Sequence, residues 1–435
     1  MTLLLCALLP IIAAVIIALV PEQPGRRGRA AIALVAQALT FGAALAIAQA
    51  LGAGRPTLVA EIGPWLPIRG GDVTLHIESA TLPLLLVATA VPAIIAIVSW
   101  RAPKTTADHA AMLLGTSASV VLITAANLVL AAGALGVMSA ATYLMFSSGR
   151  ERAAVAAAGE RAFVIDRIGD AAMVLASIAY LALFRSVDVI DIAARLASAQ
   201  PDAALIVPSI LLTTSVLAKS GLVPFQMKAA TLRAAPAPLG AFGGSVALGT
   251  GIIVLIRLHS FIHPTVLAAA AALGALSAVV VLVVAVTRSD GRDALAWSAA
   301  APAGIAVAAV GAGATNAAVA MFSATGVAAT VLVLIAALDR AGLAWRGVGA
   351  PRLRRAVVDG LGFVALATAI GRAYGGLSRT LERGTDVTLD ALFLRLATLT
   401  VSASRALARE ERRAVRVEAM AIAGLIGLVA FWIAR

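Results

Sequence analysis

Lys219 stands in the run Ser215-Val216-Leu217-Ala218-Lys219-Ser220-Gly221-Leu222-Val223-Pro224-Phe225, an ionisable amine in an otherwise apolar stretch with a proline five residues on. Proline removes a backbone donor, so a helix ends or breaks there and leaves polar backbone beside the amine. A desolvated lysine releases its proton more readily than one in water, which suits a buried relay. A lysine at a helix end also reaches for the membrane surface while its stem stays in the apolar phase. Spacing alone leaves both readings open. A second constellation is Arg161-Ala162-Phe163-Val164-Ile165-Asp166-Arg167-Ile168-Gly169-Asp170. Asp166 and Asp170 lie one helical turn apart on one face, with Arg167 three residues before Asp170. That spacing serves a charged entrance to a water path, or equally an ion pair at headgroup level.

Other candidates are weaker. His259 and His263 are four residues apart, but no carboxylate or thiolate accompanies them, so no metal site is expected. Ser289-Asp290-Gly291-Arg292-Asp293 reads as a solvated turn. No glycine-rich phosphate loop, dinucleotide fingerprint, zinc-protease helix or nucleophile elbow occurs, so no catalytic site and no cofactor are expected within this chain.

Helices that cross a bilayer must position these groups. Of 435 residues, 61% are hydrophobic and only 13% charged, and mean hydropathy is +0.99. Soluble domains carry about 25% charged residues, so a soluble enzyme and a nucleic-acid binder are both excluded. The net charge of +12 then marks loops on the inner side of a membrane, not a polyanion partner. Cys6 is the single cysteine, which leaves neither a disulfide framework nor a thiolate metal centre.

A spanning helix needs about 20 apolar residues. Twelve such spans are expected, at 2–20, 30–51, 79–100, 110–126, 127–148, 162–184, 205–223, 236–257, 264–287, 294–312, 316–338 and 417–434. With Met1 outside, the inner loops hold seventeen Lys and Arg, among them Lys228 and Arg233, and the outer side holds five. This bias supports an N-out, C-out, multi-pass protein of a bacterial-type inner membrane. The outer stretch from Gly52 to Glu78 alternates at Val73-Thr74-Leu75-His76-Ile77 and carries Gly70-Gly71, the pattern of a hairpin. Residues 339–416 are too charged to span. There Arg395, Thr398, Ser402, Arg405, Arg409, Arg412 and Arg416 recur in steps of three and four, which draws one polar stripe along an amphipathic helix. The organisation expected is a bundle over 1–338, a lateral amphipathic segment over 339–416 and a terminal span over 417–435.

Several motifs carry a resemblance. Ala218-Lys219-Ser220-Gly221-Leu222-Val223-Pro224-Phe225-Gln226, followed by Pro236-Ala237-Pro238, resembles the "G-K-S-A-x-x-P" stretch and its following prolines in the antiporter-like, proton-translocating membrane subunits of respiratory complex I. Ala162 to Asp170 resembles "A-F-V-x-x-R-x-G-D" of subunit 5, the L subunit, and Asp290 to Ser298 is similar to "D-x-K-R-x-L-A-Y-S-T". The lateral helix followed by one more span also matches that subunit. The resemblance implies an all-α polytopic fold with a helix broken near Lys219–Pro224, the prolines 224, 236 and 238 marking the break. It implies a proton pathway through Lys219, Asp166, Arg167, Asp170 and Arg292, the last in place of a lysine.

The departures are specific. The family's membrane glutamate falls on Gly136, its histidine on Gly244 and a further lysine on or near Ala328. The family's lysine–glutamate pair is thus expected to be broken here, and the twelfth to fourteenth spans of the family to be missing. The expected function is that of a membrane subunit of a complex-I-like NADH:quinone oxidoreductase, in proton translocation or its assembly. The alternatives are a membrane subunit of a bacterial inorganic-carbon uptake complex and a non-conducting scaffold. Expected partners are other membrane subunits, the lipid bilayer and protons, with no nucleic acid.

Overall fold

The computed structural model describes residues 1–19, 26–100, 105–146, 153–198, 202–235, 237–288 and 291–340. Among these, eight helices are long and apolar enough to cross a membrane, and two shorter apolar helices accompany them. The chain is an all-α polytopic membrane protein, with one small hairpin among the described residues. Its helices are α1 (Thr2–Leu19), α2 (Arg26–Gly52), α3 (Leu82–Val98), α4 (Thr106–Thr124), α5 (Leu128–Leu144), α6 (Ala153–Phe184), α7 (Val189–Ser198) and α8 (Ile206–Ser220). They continue as α9 (Met227–Thr231), α10 (Ala237–Phe242), α11 (Leu248–Leu258), α12 (Pro264–Val286), α13 (Gly291–Ser298), α14 (Ala301–Gly311) and α15 (Thr315–Arg340). Each of the eleven spans expected up to residue 338 finds a helix. The lateral segment beyond Arg340, the terminal span 417–434 and Pro236 lie outside the described residues.

The departures in the bundle are local. α6 starts at Ala153 rather than near residue 162, so it is 32 residues long, about 48 Å at 1.5 Å per residue. A π-helical turn, Gly243–Ala247, joins α10 to α11 within the span expected at 236–257. Pro238 lies in the first turn of α10 and so begins a helix instead of breaking one. The span expected at 294–312 is two helices, α13 and α14. The amphipathic α7 was not anticipated at all; it is capped by Asp188, whose carboxylate accepts from the Asp191 N–H at 2.8 Å.

Small residues let helices approach closely. On α12 and α14, a Cβ added to Gly274 would lie 2.7 Å from the Gly304 carbonyl oxygen, and one added to Gly304 would lie 2.6 Å from the Gly274 carbonyl oxygen. Without a hydrophobic drive between helices in lipid, such backbone proximity is what packs them.

The hairpin is where the sequence placed it. β1 (Thr57–Pro64) and β2 (Asp72–Glu78) pair antiparallel with a bulge between Glu61 and Gly63. Backbone bonds tie it to the helices: Ala126 N–H donates to the Thr74 carbonyl at 3.1 Å and Val187 N–H to the Arg69 carbonyl at 3.1 Å. Asn127 caps α5 by accepting from Leu130 N–H at 2.7 Å, and its amide donates to the Asp72 carbonyl at 2.8 Å. Arg257, at the end of α11, donates to the carbonyls of Ile123 and Ala125 at the C-terminus of α4, a favourable place for a cation.

Candidate functional site

α8 ends in a glycine cap three residues before Pro224. Gly221 adopts the left-handed conformation, φ 63° and ψ 39°, which glycine enters without steric cost. Its N–H donates to the Ala218 carbonyl at 3.3 Å, and Leu222 N–H donates to the Leu217 carbonyl at 3.0 Å, satisfying two carbonyls of the last turn. Lys219 therefore occupies the last turn of α8, where the helix dipole favours a cation. The chain then dips through Pro224 into the short α9.

Lys219 does not reach for the surface. Its side chain is fully buried, which settles the two sequence readings against the membrane-surface one. The ammonium contacts Asp170 Oδ1 at 2.5 Å and Asp166 Oδ1 at 3.4 Å, both from α6, and donates to Ser139 Oγ at 2.5 Å and the Leu135 carbonyl at 3.4 Å, both from α5. The Ser139 hydroxyl in turn donates to Asp170 Oδ2 at 2.7 Å. Gly169 makes room for this: a Cβ there would sit 3.2 Å from Lys219 Cε.

Asp166 and Asp170 are accordingly not a headgroup ion pair. They lie near the middle of the 32-residue α6, 1% and 9% exposed. Asp170 bridges inward to Lys219 and outward to Arg167, whose guanidinium approaches Oδ2 at 2.6 Å, donates to the Gly136 carbonyl at 3.4 Å and lies 5.0 Å over the Phe163 ring. Gly136, onto which the resemblance places a glutamate, contributes its carbonyl. The carboxylates that balance Lys219 come from α6 instead.

The residue that the sequence misassigned is Lys228. Its place between two spans put it among the loop charges, yet its side chain is only 3% exposed. From α9 its ammonium contacts Asp166 Oδ1 at 2.6 Å and donates to the Lys219 carbonyl at 2.7 Å. Nothing in its spacing distinguished it from its neighbour Arg233, whose side chain is 57% exposed. The buried cluster thus pairs two lysines with two aspartates, and Arg167 joins it at the edge through Asp170. Burying an ion unpaired in a low dielectric is prohibitive, and this pairing is what permits the set.

Arg292 is on α13, which packs against α9; its side chain lies outside the described residues. The adjacent Asp293 faces Arg233 at 3.5 Å and Arg288 at 3.7 Å, an ion-pair network where the sequence predicted a solvated turn. His263 caps α12, its Nδ1 accepting from Thr265 N–H at 3.3 Å, and His259 Nδ1 lies 3.0 Å from the Ile256 carbonyl. Both histidines serve helix ends.

Four further buried polar atoms near this site have no hydrogen-bond partner among the described residues: the hydroxyl oxygens of Thr213, Ser215 and Ser220 on α8 and Oε1 of Gln226. Two carboxylate oxygens of the cluster, Asp166 Oδ2 and Asp170 Oδ1, also have no hydrogen-bond partner among the described residues, although the second is ion-paired with Lys219. Such groups are rare inside proteins and mark places that water or a moving proton can use.

Residues 86–341 match the NADH:quinone oxidoreductase/Mrp antiporter transmembrane family. No curated protein matches. Among solved structures, the chain is similar to one in the Mrp complex from Dietzia sp. DQ12-45-1b, with a TM-score of 0.70 and 20% identity over 80% of this chain and 38% of that one. It is also similar to a chain of the membrane-bound sulfane sulfur reductase, an archaeal respiratory membrane complex, with a TM-score of 0.68 and 19% identity over 78% of this chain and 56% of that one. The chain therefore spans 38% and 56% of these two chains, with which it shares the fold.

Proposed function

The chain belongs to the NADH:quinone oxidoreductase/Mrp antiporter transmembrane family, and from that we propose that it is a proton-translocating membrane subunit of a larger complex-I-like assembly. The observation that carries this reading is Lys219: a fully buried amine, at the end of a broken helix, held by two carboxylates and a hydroxyl. Ionisable groups at membrane depth are retained for ion pathways. In this reading Lys219 takes and releases the proton, Asp170 and Ser139 hold its charged form, and Arg167 fixes Asp170. The unpartnered hydroxyls of Thr213, Ser215 and Ser220 supply stations for water along α8. The loop charges favour an N-out arrangement in a bacterial-type inner membrane, which places α9 on the inner side.

Partners follow from the outer face of α6. Arg167 is 44% exposed there, between the exposed Phe163, Val164 and Ile168. A guanidinium on an apolar membrane face is costly against lipid, and a neighbouring subunit is the cover we infer.

A second reading, a non-conducting scaffold, draws on Gly136, Gly244 and an alanine near position 328 standing where the family has relay residues. The test separates the two. The chain is purified with its partners in mild detergent, the partners are identified by mass spectrometry, and proton flux is measured in vesicles under an imposed potential for wild type and Lys219→Ala. Flux that vanishes in Lys219→Ala is the expected result. Flux that survives it overturns the pathway, and an intact assembly with no flux in either form favours the scaffold.

A further inference from the structure

We propose that Lys228 is a second proton carrier of this site, passing protons to Lys219 through the carboxylate of Asp166; this rests on the reading of Lys219 as the central carrier. The geometry is a single carboxylate oxygen shared by two ammoniums. Asp166 Oδ1 lies 2.6 Å from Lys228 Nζ and 3.4 Å from Lys219 Nζ. A carboxylate oxygen that accepts a short hydrogen bond from one amine and a long one from the other is the arrangement a two-step transfer needs. Its second oxygen, Oδ2, is buried without a hydrogen-bond partner among the described residues, so a proton can reside there without displacing another donor.

Position argues for a direction. Lys228 lies past the break, on a five-residue helix joined to α8 by a turn, while Lys219 is fixed in the last turn of α8 itself. The elements around Lys228 present Asp166 and Asp170 from α6 and Lys219 from α8. The neighbouring α13 presents Asp293, which is engaged by Arg233 and Arg288. The exposed Arg233 follows five residues later, so Lys228 is the deepest charge on the strand of chain that returns to that surface. Lys228 is the entry station on the α9 side.

The step balances. With Lys219 neutral after releasing its proton, an N–H bond of Lys228 breaks and an O–H bond forms on Asp166. That O–H then breaks as an N–H forms on Lys219. Asp166 ends as a carboxylate, Lys228 as a neutral amine, and the charge of the cluster is unchanged by the transfer. Lys228 is then reprotonated from the aqueous side.

The experiment uses the reconstituted assembly and the flux assay above. Arginine keeps the positive charge but does not release a proton in proteins, so Lys228→Arg separates a carrier from a counter-charge. Flux should fall by roughly a hundredfold in both Lys228→Arg and Lys228→Gln. Wild-type flux in either variant overturns the proposal. Should Lys228→Arg fail to fold, the Asp166→Asn/Lys228→Gln double variant removes both charges together and leaves none unpaired. A carrier predicts that its flux stays equally low, and restoration to the wild-type rate overturns the proposal. Flux that persists in Lys219→Ala, or is absent from wild type, instead sinks the underlying reading and this one with it.

Discussion

The ammonium of Lys228 donates to the main-chain carbonyl of Lys219 at 2.7 Å, so one lysine caps the helix turn that aims the other. The last carbonyls of a helix lack internal partners, and here a side chain from beyond the break supplies one. Lys228 therefore has a structural role besides any it has in transport.

That role predicts a stability effect. Lys228→Ala leaves Asp166 short of its nearest partner and should cost about 3–5 kcal/mol. Pairing Asp166→Asn with Lys228→Gln should cost clearly less than the two single changes added together, because each single change strands a buried charge and the double change does not. Thermal unfolding of the four forms in detergent measures the difference; strict additivity would show that the pair is not coupled.

The unpartnered hydroxyl of Ser215 makes the opposite prediction. Ser215 is fully buried with no hydrogen-bond partner among the described residues, so Ser215→Ala should leave the melting temperature unchanged or raise it. Proton flux should nevertheless fall if that hydroxyl holds water on the path. A large loss of stability would mean that the hydroxyl has a partner in the folded protein after all.

The hairpin should loosen in acid. Burial pushes His76 below its usual value, and the positive charge of Arg257 pushes it further. Folding thus favours the neutral ring, and the stability this provides is complete above about pH 6.5, the unfolded value. It is lost as pH falls from there toward the lower folded value, because the unfolded chain then binds the proton more readily. Limited proteolysis of residues 57–78 at pH 7.5 and 5.5 should show faster cleavage in acid, and His76→Gln should flatten the difference.

The glycine contact between α12 and α14 should not tolerate side chains. Gly304→Val must push the helices apart at a point where a Cβ already meets the Gly274 carbonyl oxygen, and should cost about 1–3 kcal/mol. Gly313→Ala, at a site with open space but φ of 78°, should cost less, through backbone strain alone. Unfolding midpoints of the two variants rank the effects.

Deleting residues 385–416 should leave the protein in the membrane but separate it from its partners, since the striped helix expected there has a face that its own segment cannot cover. Recovery of an intact assembly from the deletion strain would refute this.

What was legible in the sequence followed from the thickness of the bilayer. Helices occupy all eleven positions expected up to residue 338, because crossing hydrocarbon needs a long apolar run that the sequence displays openly. Lys219 was legible because an amine amid leucine, valine and alanine announces itself. Lys228 was not, because the charge count that orients the loops treats every lysine between spans as solvated. The turn at Gly221, which sets α9 against α6, carries Lys228 inside. Asp166 and Asp170 were seen but placed too near the surface, since α6 proved to begin at Ala153. The short α7 was missed although Val189, Ile192, Ala193 and Leu196 have helical spacing; with only ten residues it fell below the length used to find spans.

The buried set of two lysines and two aspartates sets opposite charges against one another and reaches Arg167 through Asp170. Adding or removing one proton changes it by a whole unit of charge in a medium that screens poorly. A unit charge crossing the full membrane gains or loses about 2.3 kcal/mol per 100 mV, and one stopping partway experiences the corresponding fraction. In the proposed pathway, a proton moving between Lys219 and its neighbours would therefore sense the membrane voltage. A step in potential should displace charge within the protein before any ion has crossed it, making this cluster a voltage-dependent capacitor in the bilayer.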